Sequence, residues 1–101
     1  MSFLGLRNDL ALRIVDWGLP GPIIVRFAER LSSAFAKVDP QQIPSSRKLG
    51  MNTNIVVTDP DDSTRRYIFF IRLARNDDDF WVSDVDCLGV DATNRIFWTH
   101  D

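Results

Sequence analysis

Apolar residues recur at intervals of three and four along the first third of the chain and at alternate positions along its second half. Leu6, Leu10, Ile14 and Trp17, with Ala11 and Val15 beside them, form one stripe and predict a helix over residues 8–17. Asn8 stands where an N-cap belongs, and Asp9 falls in the first turn, where the helix dipole favours negative charge. Gly18 can take the left-handed position after the helix, and Pro20 forbids its continuation. A second stripe of Ile23, Ile24, Phe27, Ala28, Leu31, Ala34, Phe35 and Val38 predicts a longer helix running from Pro22 to the Asp39-Pro40 stop. Pro22 suits the first helical turn because its φ is already set and it has no N–H to leave unpaired. Arg26, Glu29, Arg30, Ser33 and Lys37 take the opposite face, and the short linker makes the two helices a hairpin or corner.

Beyond residue 53 the period falls to two. Strands are predicted over residues 54–58, 66–75, 80–88 and 96–100. Between them lie Asp59-Pro60-Asp61-Asp62-Ser63, then Asn76-Asp77-Asp78-Asp79, then residues 89–94, all rich in turn-forming residues. Strands joined so closely pair as an antiparallel meander. The predicted architecture is α+β, with two N-terminal helices packed on one face of a four-stranded antiparallel sheet. The 101 residues suffice for one domain, comprising a helical hairpin (6–38), a connecting loop (39–53) and the sheet (54–100). A loop of that length is either a plain crossover or a functional segment. This element order resembles the repeat unit of the β-lactamase inhibitory proteins and the small two-helix, three-strand lipoproteins of outer-membrane assembly. The resemblance is one of element order alone and carries no function across.

The pairing of the second and third strands decides what the sheet shows to solvent. A three-residue loop, Asp77-Asp78-Asp79, sets Asn76 opposite Phe80, Arg72 opposite Asp84 and Phe70 opposite Asp86. Tyr67, Phe69, Ile71 and Leu73 then share the core face with Ser83, Val85 and Cys87. A two-residue loop would instead put Asp84 and Asp86 on the core face, burying two charges at several kcal/mol each by rough Born arithmetic. In the favoured register the outer face holds Ile68, Phe70, Phe80, Val82 and Leu88 around Arg72, Asp84 and Asp86. Phe97 joins them if Ile96 and Trp98 point inward. A half-covered sheet normally shows polar residues outward. Apolar and aromatic residues ringed by charge have instead the composition of a binding patch.

Charge changes this picture modestly. The formal net charge is −2, but residues 1–50 carry seven Lys/Arg against four Asp/Glu and residues 51–101 carry five against ten. The acidic half is unsuited to phosphate contacts, so direct nucleic-acid binding is not expected. The single cysteine, Cys87, excludes an intrachain disulfide and reads as a small buried hydrophobe. The start of the chain shows no signal peptide and no stretch is long and apolar enough to span a membrane, which makes a cytoplasmic location the expectation. The aspartate runs lack the spacing, glycine and terminal glutamate of a calcium loop, and no metal or cofactor site is expected.

The functional expectation is a non-enzymatic protein–protein interaction module: a small acidic inhibitor, immunity-type factor, adaptor or assembly subunit, bound to a protein partner or to itself. Its partner-binding residues would be Phe70, Arg72, Phe80, Val82, Asp84, Asp86 and Phe97. The alternative is a small-ligand-binding or acid–base enzyme domain of the nuclear-transport-factor-like kind, with a cavity between sheet and helices. Its Asp84 and Asp86 would need a raised pKa and a histidine beside them. With Ile96 and Trp98 inward, His100 is expected to point away from both.

Overall fold

The computed structural model describes residues 6–43, 51–77 and 79–100. Helix α1 (Asn8–Asp16) and helix α2 (Gly21–Phe35) precede four strands: β1 (Met51–Asp59), β2 (Asp62–Arg75), β3 (Phe80–Val90) and β4 (Ile96–Thr99). The strands form one antiparallel sheet in the order β1-β2-β3-β4. A short 3-10 turn, Pro40–Gln42, follows α2. The remainder of the 39–53 connection, residues 44–50, lies outside the described residues.

The helices begin and end for local reasons. Arg7, not Asn8, occupies the N-cap of α1, and no side chain caps its free N–H groups. Gly18 adopts φ 74°, the left-handed conformation a side chain disfavours, and so turns the chain towards Pro20. Pro22 sits in the first turn of α2, which ends at Phe35, short of Val38. The strands run longer than alternation predicts. β1 begins at Met51, and β2 begins at Asp62, because a two-residue turn at Pro60-Asp61 lets Asp59 pair with Asp62; Ser63, Thr64 and Arg65 are then extra residues in β2 before Thr58 pairs with Arg66. Residues 62–65 are polar on both faces, so hydrophobic alternation could not mark them as strand.

Both helical stripes enter a single core. Leu6, Leu10 and Ile14 of α1 and its lead-in, and Ile23, Phe27 and Leu31 of α2, are buried with Ile55, Val57, Tyr67, Phe69, Ile71, Leu73, Val85 and Cys87 of the sheet. At the centre Phe27 stacks on Phe69, ring centroids 4.0 Å apart. Such a pair adds about 0.5–1.5 kcal/mol beyond the area it buries. Phe35 and Trp98 are half-buried against this cluster.

β3 departs from an even ladder. Arg72 pairs with Asp84 and Phe70 with Asp86, as alternation predicts, but Leu73 pairs with Val82, Ala74 with Trp81 and Arg75 with Phe80. The connecting loop therefore has four residues, and Ser83 is an extra residue in β3, a β-bulge. Ser83 spends its hydroxyl on the Arg72 carbonyl, 3.2 Å away. A second irregularity falls between Gly89 and Val90, where Phe97 is the additional residue in β4. The ring of Phe97 lies over Gly89, where a Cβ would stand 2.8 Å from Cζ, so the glycine makes room for it.

Candidate functional site: the outer sheet face

The sheet face away from the helices is built from alternate residues of the first three strands. Val56, Ile68 and Leu88 are in register across it, with Asn54, Phe70 and Asp86 forming the next row and Asn52, Arg72 and Asp84 the third. Val56 and Phe70 are exposed, Phe70 at 38%, and Ile68 and Leu88 are half-buried. A concavity of about 300 Å³ opens here between Asn52, Asn54, Phe70, Arg72, Asp84 and Asp86.

Three residues expected on this face are not there. Val82 is 2% exposed and belongs to the core. Phe80 packs edge-on against Phe35 of α2, centroids 5.2 Å apart. Both follow from the bulge at Ser83, which reverses the facing of every β3 residue between the loop and the bulge. Phe97 packs edge-on against Tyr67, centroids 5.6 Å apart, with the Arg65 guanidinium 4.7 Å above its ring. The bulge in β4 puts Phe97 beside Trp98 on the helix side, and it is Ile96 that is exposed. The same phase reversal gives the outer face a residue that alternation missed: Trp81, between inward Phe80 and Val82, is half-buried and turned outward. Phe70, Arg72, Asp84 and Asp86 are placed as expected.

The acidic side of this face is tied to α1. β4 pairs only with the end of β3, so the edge of β3 near Asp84 carries no neighbouring strand among the described residues. Around that edge Arg13 donates to Asp84 Oδ1 at 2.8 Å. His100 donates its ring Nε2–H to Asp86 Oδ1, against the expectation that it points away. The His100 ring stacks on Trp17, centroids 4.6 Å apart, and Trp17 meets Trp98 edge-on. The hydrogen bond from His100 holds the Asp86 carboxyl below the ordinary carboxylate value, outweighing the opposing effect of partial burial; the Cys87 N–H and the positive charge of Arg13 add to it. Asp86 is thus an ionised hydrogen-bond acceptor, not a protonated acid in reserve.

A second hollow, about 290 Å³, lies between α2 and the sheet, lined by Leu31, Ala34, Phe35, Val38, Ile55 and Leu73 among others. Neither Asp84 nor Asp86 reaches it. The turn aspartates are occupied locally: Asp59 accepts the Asp61 N–H, Asp62 accepts from Thr64, and Asp91 accepts from Thr93 and Arg95. Among the described residues no helix is long and apolar enough to cross a membrane. No protein-family model, no curated protein and no solved structure matches this chain.

Proposed function

We propose that this protein is a non-enzymatic interaction module that docks a protein partner on its outer sheet face. The observation that carries the proposal is the cross-strand row Val56–Ile68–Leu88, with Phe70 and Trp81, on a face where no helix packs among the described residues. Apolar and aromatic side chains bordered by Arg72, Asp84 and Asp86 make an anchor-and-rim arrangement in which the aromatic residues contribute most of the binding energy. The roles that follow are those of a small inhibitor, immunity-type factor, adaptor or assembly subunit. We place its action in the cytoplasm, where a buried, unpaired thiol such as Cys87 is at home.

An acid–base role for Asp84 and Asp86 has less support. Such chemistry at neutral pH calls for a carboxyl raised towards neutrality, and Asp86 is shifted the other way. The hollow between helices and sheet holds neither aspartate.

The test is partner capture from the native host with wild type and Phe70→Asp in parallel, then calorimetry on whichever protein the wild type retains and the variant loses. Phe70→Asp is expected to weaken that complex tenfold or more, about 1.4 kcal/mol, with thermal melting little changed. Size-exclusion chromatography of both proteins alone tests self-association through the same face. Equal binding by the two proteins would remove this face from consideration, and unfolding of Phe70→Asp would place Phe70 in the core.

A further inference from the structure

We propose that the edge of β1 that no described strand pairs, with the groove beside it, accepts an extended peptide segment of another protein, apolar at alternate positions and acidic, as a fifth strand. The backbone supplies the first observation. β1 stands at the end of the sheet order, and only β2 pairs with it among the described residues. The Val56 carbonyl accepts from the Arg30 guanidinium at 2.7 Å, so it points away from β2. With a period of two, the N–H and C=O groups of Asn52, Asn54 and Thr58 point the same way. Proteins commonly blunt such an edge with lysine, proline, a bulge or a very short strand. Met51–Asp59 has nine residues, no lysine and no proline, and its one irregularity lies at the Thr58/Asp59 end.

The second observation is what lies beside that edge. The groove between α2 and β1 offers Leu31, Ala34, Phe35 and Val38 from the helix, facing Ile55 and Leu73 of the sheet. A strand added to β1 would send alternate side chains into it, the arrangement by which strand addition gains both affinity and specificity. Along its rim a second hollow is lined by Arg30 and Lys37 together with Asn54 and Ile55. Asp39, at the far end, is turned into its own backbone and accepts the Gln41 N–H. The rim facing an incoming strand is therefore basic, which complements an acidic residue in the peptide. It disfavours a second copy of this chain, since antiparallel pairing of β1 with its own equivalent would bring Arg30 and Lys37 towards the same residues of the other copy.

The proposal is tested by panning a phage-displayed library of random 12-residue peptides against the full chain. Enriched peptides are then titrated by calorimetry against wild type, Lys37→Glu, Asn54→Pro and Phe70→Asp. Selected peptides are expected to alternate apolar residues and to carry Asp or Glu, and to shift the backbone amide resonances of residues 52–58. Lys37→Glu and Asn54→Pro should each weaken binding tenfold or more. Asn54→Pro removes an outward N–H without taking a hydrogen bond from the β1–β2 ladder. Phe70→Asp should bind as wild type, which separates this site from the outer face. If Asn54→Pro does not fold, Lys37→Glu and the resonance map decide. The proposal is overturned if no peptide is enriched, if enriched peptides depend on Phe70 rather than Lys37, or if the edge proves to be occupied by a second copy in a dimer that Asn54→Pro disrupts.

Discussion

Val82 stands opposite Leu73 with both side chains in the core, one position away from where an even ladder would put it. The four-residue loop 76–79 alone would turn Asp84 and Asp86 inward, and the bulge at Ser83 restores them to solvent. The two departures from the simplest hairpin cancel beyond Ser83, whereas before it only the loop's extra residue acts. Val82→Asp should therefore bury an unpaired carboxylate and abolish folding, at several kcal/mol. Ser83→Ala, which loses only the hydrogen bond to the Arg72 carbonyl, should cost about 0.5–1.5 kcal/mol. Urea denaturation of the two variants measures both, and near-equal stabilities would contradict the pairing.

Adjacent phenylalanines should respond very differently. Phe69 is fully buried against Phe27, whereas Phe70 faces outward. Phe69→Ala is expected to lose about 3–5 kcal/mol, the usual cost of emptying a core phenylalanine site. Phe70→Ala should change stability by less than about 1 kcal/mol. Chemical denaturation curves that rank the two the other way would reverse the assignment of faces.

Cys87 should be chemically quiet. Burial raises its thiol pKa to about 12, with the Asp86 charge adding to the effect. Thiolate is the reactive form, so almost none is present at neutral pH. Native protein should react with a thiol reagent such as iodoacetamide far more slowly than urea-unfolded protein. Equal rates would show that Cys87 is accessible.

The bond between Asp86 of β3 and His100, just past β4, should weaken in acid. His100 hydrogen-bonds Asp86 and lowers its pKa in the folded state, so the bond's contribution is present above the ordinary carboxylate value of 3.8 and is lost as pH falls through the lower folded value. The effect should be small, because Asp86 is largely exposed and solvent screens the pair. Asp86→Asn should narrow the stability difference between neutral pH and about pH 2, as read from urea midpoints. An unchanged difference would show that the pair does not contribute.

The sequence alone determined the number, type and order of the elements, because each is marked by local signals. Stripes at three and four mark α1 and α2, Gly18 and the prolines end or start them, and alternation marks the strands. It also determined that Arg72 meets Asp84 and Phe70 meets Asp86, since burying two unpaired aspartates costs too much for any other register there. It could not determine the facing of Phe80, Trp81, Val82 and Phe97. A bulge adds one residue to one strand, and nothing in the local pattern near Ser83 or Phe97 records it. Only contact with distant groups decides it: Phe35 of α2 receives Phe80, Leu73 of β2 receives Val82, and Tyr67 with the bare Cα of Gly89 receives Phe97. The bonds of Arg13 and His100 to the two aspartates belong to the same class. They join residues far apart in the chain around an edge that exists only because β4 is short, so tertiary packing alone brings them together.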